Sequence, residues 1–172
     1  AAMGTSCACM YAALTYMYHE ETALLPFFTG KLLLYVRFID DIFGIWYDYH
    51  DTTFETFKSS LNYCGLTWDT TTLAPSCTFL DLNLSFTPLG FISTKTYQKM
   101  MNLYLYLPSN SAHPPGALKG LIVGNLQRYW KQNTNKSDYI NIVKLFILRL
   151  VARGYTLDIL TPIFNDASNY IN

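Results

Sequence analysis

Two adjacent carboxylates, Asp40 and Asp41, stand between apolar runs in the segment Phe38-Ile39-Asp40-Asp41-Ile42-Phe43. Like charges this close, flanked by low-dielectric side chains, repel each other unless a cation balances them. A bound divalent metal is a common balance, and a ligand set made only of oxygen favours Mg2+, with Mn2+ able to replace it. The competing reading is a polar turn, because Asp is frequent in turns and needs no metal there. His19 and His50 lack ligand-spaced partners. Cys7, Cys9, Cys64 and Cys77 show no paired C-x-x-C spacing, so they read as buried, reduced thiols of an intracellular protein and not as a zinc site.

The elements around the acids follow from hydrophobic periodicity. Residues 8–21 read as a helix, with Ser6 as its N-cap and His19-Glu20-Glu21 at its end. Residues 32–39 and 42–47 are rich in aliphatic and aromatic side chains and read as a β-hairpin with both acids at its turn. Thr53 to Tyr63 is amphipathic, with Phe54, Phe57 and Leu61 at helical spacing. Leu66–Thr71, Thr78–Phe86 and Phe91–Tyr97 are strand candidates separated by Pro75 and Pro88-Leu89-Gly90. Beyond a Pro- and Ser-containing linker from Pro108, three helical stretches follow. The first runs from Leu118 to Lys131, the second from Tyr139 to Arg153 with Ser137 as cap and Gly154 as stop, and the third starts at Asp158. The expected fold is α+β: an antiparallel sheet with helices on one face over residues 1–107, then a small helical region over residues 108–172.

Phe38-Ile39-Asp40-Asp41, led by Tyr35-Val36-Arg37, resembles the aromatic-x-Asp-Asp box of reverse transcriptases. Met3-Gly4-Thr5-Ser6-Cys7-Ala8, running through Tyr11-Ala12-Ala13-Leu14 to Glu20-Glu21, resembles the Gly-containing segment that precedes this box in the family. Phe79-Leu80-Asp81-Leu82, Ser111-Ala112-His113-Pro114 and Arg153-Gly154-Tyr155 are similar to landmarks of the Penelope-like retroelement type. The resemblance spans nearly the whole chain. Cys9 and Ala13 depart from it, standing where the family has Pro and Asn.

This resemblance implies a polymerase palm over residues 1–107 and part of a thumb over residues 108–172. It implies RNA-directed DNA polymerase chemistry with Asp40 and Asp41 as catalytic metal ligands. Two Mg2+ ions would serve the complete enzyme, whose remaining catalytic Asp, with the rest of palm and fingers, precedes Ala1; the fragment alone is then expected to be inactive. Gly4, Thr5, Ser6 and Phe38 would face the incoming deoxynucleoside triphosphate and template. Lys99, Lys119, Arg128 and Lys131 would meet the backbone of an RNA template paired with a DNA primer. Asp81 reads as a strand or turn acid, His113 as a loop residue, and Tyr129-Trp130-Lys131 as core packing before base stacking.

Charge fits that division. Net charge is zero, but residues 1–94 carry nine acids against Lys31, Arg37 and Lys58. Residues 95–153 carry nine basic residues against Asp138 alone. An acidic cation site beside a basic phosphate-gripping surface would look this way, as would two independent solvated faces. Charged residues make up 14% of the chain, well below the roughly 25% of an ordinary domain, which predicts extensive burial. Residues 1–18 are uncharged, but Thr5, Ser6 and Thr15 dilute them, and no basic segment leads into them, so no membrane span or signal peptide is expected. The expected location is nuclear or cytoplasmic. Two further readings stand beside the polymerase: a degenerate, non-catalytic remnant that at most binds nucleic acid, and a structural or membrane-associated α+β domain.

Overall fold

The computed structural model describes residues 7–47, 52–114 and 116–171. Among them the fold is α+β, with five α-helices and two small antiparallel sheets. The chain forms two compact units, Ala1–Ala74 and Pro75–Asn172. The change of composition near Leu107 falls inside the second.

In the first unit, helix α1 (Ala8–His19) runs into a π-helical turn, Glu20–Leu24, closed by the Leu25 amide donating to the Glu20 carbonyl at 2.8 Å. Tyr16, Glu20 and Leu24, spaced four apart, lie on the buried side. Met10, Tyr11, Leu14, Met17 and Tyr18 lie on the outer side and are exposed. The low charge of this segment therefore does not reflect burial within the unit. The expected cap, Ser6, lies outside the described residues; Cys7 holds the N-cap position without a side-chain bond.

Strands β1 (Leu32–Phe38) and β2 (Asp41–Trp46) form an antiparallel hairpin. Its register slips between Leu32 and Leu34, because Leu32 pairs with Trp46 and Leu34 with Ile45. The extra residue, Leu33, brings Leu32, Tyr35 and Arg37 onto one face although Leu32 and Tyr35 are three apart. That face, with Ile42 and Trp46, covers a core of Leu24, Phe28, Phe57 and Leu61, to which helix α2 (Thr53–Ser60) contributes. The run 66–71 is not a strand. After an isolated bridge between Tyr63 and Leu66 the backbone is irregular, and its Gly65 holds a left-handed φ of 78°.

The second unit begins with β3 (Ser76–Phe79), β4 (Leu82–Phe86) and β5 (Ile92–Thr96) in an antiparallel meander. The single strand expected over 78–86 is thus a hairpin broken at Leu80-Asp81. Helices α3 (Ala117–Gln132), α4 (Lys136–Ala152) and α5 (Leu157–Ser168) follow. Ile122, Leu126, Ile142, Phe146, Leu150 and Leu160 fill their shared core. Asn135, not Ser137, precedes α4, and Gly154 ends it at φ 93°, where an added Cβ would meet Ser109 Oγ at 2.6 Å.

The segment joining sheet to helices packs on α4. Tyr106 meets Phe146 at 4.9 Å between ring centroids, and Arg149 lies 3.8 Å over the Tyr104 ring. The Thr94 amide bonds Thr134 Oγ1, the Thr96 amide bonds Asn133 Oδ1, and Lys95 pairs with Asp138 at 2.8 Å. These bonds fasten β5 to the α3–α4 connection. No helix among the described residues is long and apolar enough to cross a membrane.

Candidate active site

The acids sit at the tip of the β1–β2 hairpin. Phe38 pairs with Asp41, so the turn holds two residues, Ile39 and Asp40, and Asp41 opens β2 instead of lying in the turn. Ile39 has φ 54°, the left-handed region that a β-branched side chain resists. A positive φ at the first central residue is what a two-residue hairpin needs to match strand twist. Asp40 and Asp41 are both exposed. Because Arg37 and Ile42 point to the covered face, the next pair, Phe38 and Asp41, stands on the opposite, open face with Val36 and Phe43. Phe38 is 55% exposed, an apolar surface directly beside the Asp41 carboxylate.

The tip is tied down from beneath by a group the sequence reading did not single out. Arg37 donates from Nε to Glu20 Oε1 at 2.6 Å and from Nη2 to Glu20 Oε2 at 2.9 Å. Its Nη2 also reaches the Ala13 carbonyl at 3.2 Å, and Nη1 reaches the Ile39 carbonyl at 3.1 Å. Glu20, only 5% exposed, accepts a further bond from Tyr35 Oη at 2.6 Å. The Tyr16 ring lies 5.0 Å from the guanidinium and its hydroxyl donates to the Leu61 carbonyl at 2.7 Å. Burial, then the Glu20 carboxylate, pushes the Tyr16 hydroxyl up to about 12. Burial and the bond to Glu20 push Tyr35 upward as well. The bond to Glu20 raises Arg37 further above its ordinary value and keeps it charged. The available signal was an isolated Arg in an acidic half, two residues from a Tyr on the same strand face.

Two exposed carboxylates on adjacent residues offer oxygen ligands that fit a Mg2+ ion, which takes one or two carboxylates and fills its octahedron with water and phosphate oxygens. Among the described residues no group of three or more His, Cys, Asp or Glu could hold a metal, so these two acids form no closed protein cage. Neither acid enters an ion pair among the described residues. Gly4, Thr5 and Ser6 lie outside the described residues.

The four basic candidates belong to the second unit and do not form one stripe. Lys119 and Arg128 lie nine residues apart on α3, about two and a half turns, and so on opposite sides of the helix. Lys119 pairs with Asp166 at 2.5 Å, which raises its proton affinity, and Arg128 pairs with Asp81 at 2.6 Å. Lys131 is near Arg128 in helical angle and lines a shallow cleft of about 130 Å3 with Gln127, Trp130, Tyr170 and Ile171. That is below the roughly 300–1,000 Å3 of a small-molecule pocket. Lys99 is exposed just past β5. Tyr129 is buried in the core as expected, whereas Trp130 is 43% exposed at the cleft. The four cysteines are free but exposed, not buried.

The fold is thus of the α+β class, with an exposed pair of carboxylates at a braced hairpin tip. No family model, curated protein or solved structure matches the chain.

Proposed function

We propose that the chain is a palm and thumb piece of a reverse transcriptase, an RNA-directed DNA polymerase that extends a primer 3′ end with deoxynucleotides. The observation that carries the proposal is the hairpin tip. Asp40 lies in the two-residue turn and Asp41 opens β2 directly after it, both without an ion-pair partner among the described residues, with Phe38 paired to Asp41 on an open face. Mg2+ bound there supplies Lewis acidity toward the primer 3′-OH and charge neutralisation for the triphosphate. A further carboxylate from outside this sequence completes the ligand set in this reading.

The chain's own residues do the rest by placement. Asp40 and Asp41 concentrate negative charge where cations and triphosphate meet. Phe38 offers an apolar face to the sugar or base and keeps water from one side of Asp41. Lys99, Lys119, Arg128 and Lys131 offer cations to template–primer phosphates. Of these, Lys119 and Arg128 must exchange an intramolecular carboxylate for a phosphate.

The test is Mg2+-dependent extension of a DNA primer on an RNA template by a protein carrying this chain with the preceding palm and fingers. Extension abolished by Asp41→Asn supports the proposal, and extension indifferent to it refutes the proposal. Cys9 and Ala13, which stand where the family has Pro and Asn, favour a second reading, a non-catalytic remnant that binds nucleic acid. Salt-sensitive RNA or DNA binding without extension would select it.

A further inference from the structure

We infer that Arg37, clamped by the buried carboxylate of Glu20, is a positioning residue that fixes the Asp40–Asp41 turn in the shape that receives a cation. The inference rests on reading Asp40 and Asp41 as metal ligands. Three features of the tip make an external brace necessary. A two-stranded hairpin is marginal by itself. Its turn holds Ile39 at φ 54°, which a β-branched residue does not adopt unaided. Two neighbouring carboxylates repel each other before any cation arrives.

Arg37 meets all three through one planar fork. Nη1 holds the Ile39 carbonyl, the peptide oxygen that immediately precedes Asp40, at 3.1 Å. Nη2 holds the Ala13 carbonyl on α1 and Glu20 Oε2, and Nε holds Glu20 Oε1. The guanidinium side chain is 12% exposed and that of Glu20 6%. Glu20 cannot swing away, because the π-helical turn carries it and Tyr35 Oη donates to it at 2.6 Å. Helix α1 and the tip are therefore joined through a single side chain.

The pair is also electrically balanced. With its charge matched by Glu20, Arg37 shapes the turn without competing with a metal for the aspartates. A brace of this kind depends on fork geometry, not on positive charge. Lysine keeps the charge but cannot bond Ile39, Ala13 and both Glu20 oxygens together. Charge compensation of the aspartates would instead leave Arg37→Lys competent.

Mn2+ titrated into the 15N-labelled chain separates these outcomes, with the Asp41 and Asp81 amides compared in the same sample. The Leu80-Asp81 turn has the same length and the same left-handed φ at its first residue but a carboxylate already paired with Arg128. In the native chain, Asp41 should broaden at a Mn2+ concentration about tenfold or more below Asp81. Equal broadening at both turns overturns the metal reading itself, and the inference with it. Given selective broadening, Arg37→Lys should raise the Mn2+ concentration required at Asp41 by about 10–100-fold, the usual cost of losing an outer support of a metal ligand. A change under about twofold, with the native selectivity intact, overturns the positioning role alone. Should Arg37→Lys lose the dispersed amide spectrum of the folded unit, Glu20→Asp takes its place. That variant keeps both charges and draws the fork away from Ile39, so the same weakening is expected, and its absence overturns the inference.

Discussion

Ile39 and Leu80 hold the same left-handed backbone, φ 54° and 52°, each as the first central residue of a two-residue hairpin turn. Each follows a Phe and precedes an Asp. The difference lies in the acids: Asp81 is paired with Arg128 at 2.6 Å, whereas Asp40 and Asp41 have no ion-pair partner among the described residues. Backbone strain therefore does not single out the candidate site; the adjacency of two carboxylates without an ion-pair partner among the described residues does. Left-handed backbone costs an aliphatic residue about 1–2 kcal/mol, partly offset by the roughly 0.5–1 kcal/mol of extra entropy that glycine loses. Ile39→Gly and Leu80→Gly should each stabilise their unit by about 0.5–1 kcal/mol in urea unfolding. Destabilisation by either would show that its turn is not left-handed at that residue.

Alkaline pH tests the buried network. The Tyr16 hydroxyl is pushed up to about 12, and Tyr35 is pushed in the same direction. An unfolded tyrosine ionises near about 10. The folded state therefore holds these protons more tightly, and the stability they contribute is complete below about pH 10 and drains away as pH rises toward the folded value. Tyrosinate absorbance should show two tyrosines of the first unit ionising late and together with unfolding. Tyr16→Phe should flatten the loss of stability above pH 10, at a cost near neutrality of about 1 kcal/mol for the bond to the Leu61 carbonyl. Early, independent ionisation of Tyr16 would mean that the network is open to water.

Packing in the second unit centres on Phe146. It is fully buried, with the rings of Tyr106, Tyr129 and Phe164 around it. Phe146→Ala should cost about 3–5 kcal/mol in chemical denaturation. A loss under about 1 kcal/mol would mean that the helices do not share this core.

Much of this architecture was readable from residue spacing. Apolar residues three and four apart located α1, α2, α3 and α4 to within a few residues, and the Asp-Asp hairpin lay between two obvious β-rich runs. What failed has particular causes. The apolar run 78–86 hid a turn because Leu80 and Asp81 carry no Gly or Pro punctuation, and Leu80 takes the left-handed conformation regardless. Leu66–Thr71 had strand composition but finds no neighbouring strand beyond one bridge. The Leu33 bulge, which turns Tyr35 and Arg37 toward the core, leaves no trace in composition. Without it the brace between Arg37 and Glu20 could not be read, because a partner seventeen residues away on another element is a tertiary fact.

The two intramolecular pairs on α3 predict an unusual effect of removing acids. If Arg128 and Lys119 meet phosphates, nucleic acid competes with Asp81 and Asp166 for them. Asp81→Asn and Asp166→Asn should then tighten binding of an RNA–DNA duplex and steepen its salt dependence by about one counterion each. Both pairs are exposed, so each substitution should change stability by no more than about 1 kcal/mol. Unchanged affinity and salt slope would remove these two cations from the binding surface.

The most direct measurement is primer extension on an RNA template by a protein that carries this chain together with the palm and fingers the proposal requires, comparing the native sequence with Asp40→Asn, Asp41→Asn and Glu55→Gln. Glu55 is an exposed acid on α2, paired with Lys58 and remote in role from the hairpin tip. Several kcal/mol of charge stabilisation correspond to about a 10^3-fold rate effect. Each hairpin variant should lose about that much or more at saturating Mg2+ while Glu55→Gln stays within about twofold. Extension that survives loss of either aspartate would contradict the assignment of Asp40 and Asp41 as the metal ligands of a polymerase.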